Sequence, residues 1–266
     1  MTVLSWQQLV SGGNADELKG GTALTVGCFD GPHSGHDVLF DAVFHAAAEQ
    51  NLSPGIITFS RPLPAVKHPG SYAGDIATLR QRLERYERRC FSFCVTIDFS
   101  DDFSKIDGNI FLTILKNECG MKFMAEGVDF HCGYKGLCGA EQIRACAKKN
   151  GIEVSFFAPV CYENQRISSS VIRQCILRGD FAAAEKMLGR PYIIDFEGIV
   201  PVEFDGTYVF SRSCFFQVIP PDGVYDVLET TSGLRACLEV TGDSILVRRA
   251  DNELPRIRNV QFLYKE

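Results

Sequence analysis

The sequence predicts an α/β domain with a parallel sheet, followed by a small all-β unit. Two observations carry this. Over the first 190 residues, short β-branched and aromatic runs alternate with segments of helical period. From Tyr192 onward no helix-period segment occurs, and short apolar runs are divided by turn chemistry. A chain of 266 residues is long enough for both parts without disulfide or metal staples.

The strand-like runs of the first part are Thr22–Val26, Gly55–Phe59, Phe91–Ile97, Met121–Ala125 and Glu153–Phe157. Between them, His36–Gln50 places Leu39, Val43 and Ala46 or Ala47 on one stripe, and Ile76–Arg89 sets Leu79, Leu83 and Tyr86 opposite a charged face. Ile110–Cys119 and Glu141–Lys149 follow the same rule. Strand alternating with helix predicts a parallel sheet covered on both faces. Two short helices follow, Val171–Leu177 and Phe181–Leu188, before Gly189-Arg190-Pro191 breaks the pattern. The boundary is therefore set at 190, with domains 1–190 and 191–266. In the second, strands are expected at Tyr192–Val200, Tyr208–Phe210, Phe215–Ile219, Gly223–Leu228, Arg235–Val240 and Ser244–Val247, forming a barrel or sandwich.

Composition narrows the function. Net charge is −6 and the pI is near 5.5, which argues against a nucleic-acid partner. No apolar run approaches the ~18 residues of a membrane span. Met1–Val10 has no Lys or Arg, so no signal peptide is expected. The eleven cysteines contain no CxxC pair and read as reduced thiols of a cytoplasmic protein. His131, Cys132 and Cys138 lack metal-ligand spacing, so no protein metal site is expected. His45 and His68 read as structural or solvated, and Arg80–Arg89 as a solvated helix face. Residues 1–190 hold 20 Lys/Arg against 21 Asp/Glu and all five histidines, whereas 191–266 hold 7 against 12. Chemistry is expected in the first part.

The strongest motif is Gly27-Cys28-Phe29-Asp30-Gly31-Pro32-His33-Ser34-Gly35-His36, directly after the first strand and opening a helix. Ligands of open α/β sheets bind at the carboxyl ends of strands. Glycines there let the backbone approach a phosphate, and the helix aims its free N–H groups and positive dipole end at the same place. His33 and His36 can both reach an anion held there. A second phosphate signal is Arg166-Ile167-Ser168-Ser169-Ser170-Val171-Ile172-Arg173. Its hydroxyls precede a helix, and its guanidinium forks suit phosphate oxygens.

At these residues the chain resembles the HxGH nucleotidylyltransferases, a Rossmann-like fold. More narrowly, it resembles the bacterial FAD synthetases, usually bifunctional riboflavin kinase/FMN adenylyltransferases, whose first motif reads G-x-F-D-G-x-H-x-G-H. Gly127-Val128-Asp129-Phe130-His131-Cys132-Gly133 resembles their G-x-D-F-x-F-G, and the serine segment their R-[VI]-S-S-T-x-I-R. The resemblance implies ATP and FMN as substrates and Mg²⁺ bridging phosphate oxygens. It implies catalytic roles for His33, His36 and Arg173. ATP contacts would come from Gly27, Phe29, Asp30, Gly31, Gly35, Asp129, Arg166, Ser168, Ser169 and Ser170. The residues alone would suit another phosphate acceptor equally; Phe29-Asp30-Gly31 and the appended β unit favour flavin.

Two departures stand out. Where the family reads T-F-D-P-H-P, this chain reads Thr58-Phe59-Ser60-Arg61-Pro62-Leu63-Pro64. Phe59 and Arg61 are then the flavin-side candidates; either Arg61 takes over an anionic contact or the flavin-side loop differs from the family's. Phe196–Phe216 holds neither the family's glycine-rich turn nor its P-T-A-N, although Pro220-Pro221-Asp222-Gly223-Val224-Tyr225 resembles its barrel segment. The expectation is a shortened kinase-like barrel without kinase chemistry.

Overall fold

The computed structural model describes residues 1–12, 16–67, 70, 72–99, 101–248 and 257–264. They fall into two compact units. The first is Met1–Phe29, Gly35–Pro69 and Arg82–Val160; the second is Asp30–Ser34, Gly70–Gln81 and Cys161–Glu266. No helix among the described residues is long and apolar enough to cross a membrane.

The first half of the chain runs β1 (Thr2–Ser5), α1 (Trp6–Val10), β2 (Thr22–Gly27), α2 (Ser34–Gln50), β3 (Ser53–Phe59), α3 (Leu63–Lys67) and α4 (Leu79–Arg88). It continues with β4 (Phe93–Ile97), α5 (Asp101–Ser104), α6 (Gly108–Glu118), β5 (Met121–Gly127), α7 (Ala140–Asn150) and β6 (Glu153–Phe157). Among the described residues the strands make a six-stranded sheet in the order β1-β4-β3-β2-β5-β6, parallel throughout. Successive side chains of a strand point to opposite faces. Leu24, Val26, Ile57, Phe93, Val95 and Met124 enter one core with Trp6, Phe111 and Ile143. Their neighbours Ala23, Ile56, Cys94, Phe123 and Ala125 enter another with Phe40, Val43 and Tyr86. The four inner strands, β2 to β5, are buried on both faces, which is why these segments read as continuous apolar runs.

The order also fixes where a ligand can enter. The chain passes from β2 outward through β3 and β4, then returns to β5 on the other side of β2. The switch point of the sheet lies between β2 and β5, and such crevices bind ligands. Here the two strands part early. Their pairing ends at Leu24↔Met124, while β2 stays paired with β3 to Gly27↔Thr58.

The second unit carries β7 (Cys161–Tyr162), β8 (Gln165–Arg166), α8 (Ser169–Leu177), α9 (Phe181–Leu188), β9 (Ile193–Asp195), β10 (Val202–Phe204) and β11 (Thr207–Ser211). After these come β12 (Gly223–Glu229), β13 (Leu234–Thr241), β14 (Ser244–Arg248) and β15 (Asn259–Phe262). Among the described residues a seven-stranded antiparallel half-barrel runs β10-β11-β14-β13-β12-β15-β9, and β7 pairs with β8.

Several element readings change. Phe215–Ile219 is not a strand of the sheet; Gln217 instead bridges Asp75. The run from Tyr192 shortens to Ile193–Asp195, and a turn follows at Gly198, whose φ is +83°. β1, β7, β8, β10 and β15 are additional strands. The charged run Arg80–Arg89 is not uniformly solvated, because Arg82 is completely buried. His45 is exposed and pairs with Glu49 at 3.2 Å; His68 lies outside the described residues.

Candidate active site

The first loop begins with backbone that the sequence must accommodate. Phe29 sits at φ +47°, a left-handed conformation that non-glycine residues seldom adopt. Its ring folds back so closely that a Cβ on Gly27 would lie 2.8 Å from it. Gly27 is therefore required by Phe29. The Phe29 ring meets His36 edge-on at 5.0 Å and Phe40 at 5.2 Å, which fixes the imidazole in the first turns of α2. Gly35 lies in the same first turn.

In the second unit Asp30 is a buried hub. Its Oδ1 accepts from Ile76 N at 2.8 Å and Ala77 N at 3.3 Å, and its Oδ2 from Arg173 Nη2 at 2.5 Å and the Tyr72 hydroxyl at 3.3 Å. Arg173 also donates through Nε to Gly74 O at 2.8 Å and stacks over Tyr72. Ser169 Oγ donates to Asp30 O at 2.7 Å, and Ser168 caps α8 by accepting from Val171 N at 3.3 Å. Ser170 and Arg166 are exposed. Gly31 stands at φ +60°, and a Cβ there would fall 2.3 Å from Ile76. Asp30, Gly31, His33, Ser169 and Arg173 are thus gathered in one place.

His33 is 4% exposed, and burial pushes its imidazole down to about 4, aided by the Arg190 and Arg166 guanidiniums. Arg190 also donates to the Pro32 carbonyl. His33 is therefore neutral at pH 7, and any positive charge around it comes from the arginines. An unfolded histidine takes its proton near 6.5. Between those two values the unfolded chain binds more protons. The stability tied to neutral His33 is thus complete above about pH 6.5 and is lost as pH falls toward 4. The His33→Gln variant isolates this contribution. In urea unfolding, wild type should lose stability relative to the variant between pH 7.5 and pH 5; a gap independent of pH would refute the assignment.

In the first unit a cavity of about 590 Å³ opens at the carboxyl ends of β2, β3 and β5. That size suits a cofactor-like ligand. Val26, Gly27 and Cys28 form one side, and Phe130 to Gly136 another. Phe59, Phe99 and Phe103 contact one another at 6.0–6.1 Å between ring centres, making an aromatic box. Lys67 sits over the Phe99 ring and Lys135 over Tyr134. Of the flavin-side candidates, Phe59 lines the cavity, whereas Arg61 is exposed beyond the strand. Asp129 is exposed on the loop after β5, with Oδ1 2.9 Å from where a Gly127 Cβ would stand.

Two buried groups hold these strand ends, and neither was anticipated from sequence. Arg82 donates through Nη1 to Cys28 O at 2.9 Å, Thr58 Oγ1 at 3.0 Å and Phe59 O at 2.9 Å, and through Nη2 to Ser60 O at 2.9 Å. It ties the loop after β2 to the loop after β3. Glu126 fills the gap where β2 and β5 part, accepting from Val26 N at 2.6 Å. Burial pushes its carboxyl well above the usual range. Among the described residues no group of three or more His, Cys, Asp or Glu is placed to hold a metal ion.

The family model described as FAD synthetase matches residues 15–171. The chain belongs to that family. Over 190 residues it is 31% identical to the bifunctional riboflavin kinase/FMN adenylyltransferase of Haemophilus influenzae, covering 70% of this chain and 61% of that protein. The protein of the same name from Escherichia coli K12 is 30% identical over 213 residues, 78% and 67% of the two chains. The FAD synthetase of Listeria monocytogenes is 28% identical over 173 residues, 64% of this chain and 70% of that one. The chain spans about three fifths of the length of the Haemophilus relative. The crystal structure of a macrolide-efflux protein from Streptococcus pneumoniae matches with a TM-score of 0.79 and 24% identity, over 98% of this chain and 90% of that one. It shows the fold alone.

Proposed function

We propose that this FAD synthetase family member transfers AMP from ATP to FMN, giving FAD and pyrophosphate. The aromatic cavity that starts at Gly27 and Cys28 carries the reading. A planar isoalloxazine suits the box of Phe59, Phe99 and Phe103, and Lys67, Lys135 and Arg61 supply positive charge toward a flavin phosphate. An FMN phosphate oxygen attacks the α-phosphorus of ATP in line. The new P–O bond forms as the bond to the β-phosphate bridge breaks, and pyrophosphate takes the electron pair. No protein nucleophile is needed, so catalysis is positioning and charge stabilisation.

His33 and His36 donate to the phosphates where charge builds. The loop of Gly27, Phe29, Asp30, Gly31 and Gly35 lets the backbone approach them. Ser168, Ser170 and Arg166 grip the β- and γ-phosphates with their side chains, Ser169, whose hydroxyl is given to Asp30 O, with its backbone N–H at the start of α8, and Asp129 places the nucleotide. Arg173 spends Nε and Nη2 on Gly74 and Asp30, which leaves Nη1 for a phosphate oxygen. Mg²⁺ would accompany ATP as part of the substrate and would supply positive charge against what builds on the pyrophosphate. We assign the chemistry to residues 1–190 and read 191–266 as a riboflavin-kinase-like β domain without kinase activity. A cytoplasmic setting, with no nucleic-acid partner, fits an acidic chain rich in reduced thiols.

Chromatography of FMN plus ATP-Mg against riboflavin plus ATP-Mg tests both halves. FAD is expected from the first mixture and no FMN from the second. FMN formed from riboflavin would overturn the reading of the β domain; FMN left unconverted would overturn the adenylyl-transfer reading.

A further inference from the structure

We propose that the half-barrel braces the first loop, with Gln217 as a positioning residue acting on Asp30 and Gly31 through the segment 72–78. The inference rests on the adenylyl-transfer reading for its consequence, though not for its geometry. Residues 30–34, the heart of the first motif, pack with the half-barrel unit, as does the segment 70–81.

The bonding explains why. Asp75 N donates to Phe216 O at 2.8 Å, and Val218 N donates to Asp75 O at 2.8 Å. Gln217 is 3% exposed. Its Nε2 donates to Ile76 O at 3.0 Å, Gln81 Oε1 at 3.1 Å and Ile193 O at 3.0 Å, and its Oε1 accepts from Asp195 N at 2.7 Å. The next links are the bonds from Ile76 N, Ala77 N and Tyr72 to the Asp30 carboxylate. Gly74 shows how tight the join is: its φ is +114°, and a Cβ would lie 2.6 Å from the Gln217 carbonyl carbon. Arg80 closes the far end with bonds to Asp195 at 2.7 and 3.1 Å, beside Thr78 Oγ1 at 2.7 Å. An unbroken chain of buried bonds therefore runs from the half-barrel to the carboxylate beneath the phosphate loop. A domain without kinase motifs keeps a task in the other reaction.

Gln217→Met keeps the side-chain size and removes the amide. KM for ATP should rise about ten-fold, equivalent to ~1.4 kcal/mol, with KM for FMN unchanged. The amides of Gly31, His33 and Ser34 should exchange with solvent faster. A merely structural loss would lower the active fraction and leave both KM values alone. Gly74→Ala, which wedges the same join from the other side, should repeat the pattern. A measurement on the unsubstituted protein needs no variant to fold: a non-hydrolysable ATP analogue should slow exchange at the Asp75 and Val218 amides, and FMN alone should not. Normal FAD synthesis with no such protection, or a folded Gln217→Met protein with an unchanged KM for ATP, would overturn the brace. Wild-type protein that forms no FAD would instead overturn the function on which it rests.

Discussion

His36→Ala should lower the rate of FAD formation roughly 100- to 1,000-fold, the usual effect of deleting one donor aimed at developing charge. The fold should survive. His36 is half-buried in the first turns of α2, and its ring lies at the edge of Phe29 rather than deep in the core. Phe29 keeps its packing on Phe40 and Tyr86 when the imidazole is gone. The change in thermal midpoint should be small, in line with ~1 kcal/mol for an ordinary substitution. Steady-state kinetics beside a melting curve decides the matter. A variant that makes FAD at the wild-type rate removes His36 from the mechanism.

Arg82→Met should have the largest effect on stability. Methionine fills much of the same space and offers no donors. Cys28 O keeps a bond from Thr58 Oγ1 at 3.1 Å, but Phe59 O and Ser60 O lose the guanidinium. Each orphaned acceptor costs up to ~1–3 kcal/mol where it is buried, and these two are partly so. Relief from burying a cation offsets part of this, leaving a net loss of about 3 kcal/mol and a midpoint lower by roughly 10 °C. Arg82→Lys should fall between, since one ammonium cannot reach both strand ends at the angles a planar fork does. A methionine variant that melts with wild type would show that the two loops hold each other without the clamp.

Arg82 also marks the limit of what the sequence could reveal. Strands buried on both faces announce themselves as β-branched runs, so β2, β3, β4 and β5 were legible to within a few residues, and the apolar edge strand β6 with them. The glycine and histidine loop was legible because its chemistry is local. Arg82 sits in a run of arginines and glutamates, and its acceptors come from residues 28 and 58–60. Nothing in its neighbours distinguishes it from Arg88, which is solvated. The helix expected from Ile76 begins at Leu79 because Ile76 and Ala77 give their N–H groups to Asp30. A signal for that start was present: Thr78 and Gln81 exchange reciprocal caps, Thr78 N to Gln81 Oε1 at 3.0 Å and Gln81 N to Thr78 Oγ1 at 3.3 Å. β1 and β10 are short strands at the edges of their sheets, and their few residues carry too little pattern to register. The aromatic box draws on Phe59, Phe99 and Phe103 from separate segments, and only the folded chain assembles it.

Glu126 has an electrical consequence. A carboxyl group at the floor of the crevice between β2 and β5 would, if ionised, set a negative field there. Burial favours its protonated form, in which it closes the gap between two diverging strands without adding a full negative charge. An amide would do this at every pH, whereas an acid does it only while it keeps its proton. Stability therefore declines as pH climbs above the ordinary carboxyl range. The floor of the crevice is a neutral wedge whose silence depends on how dry it stays.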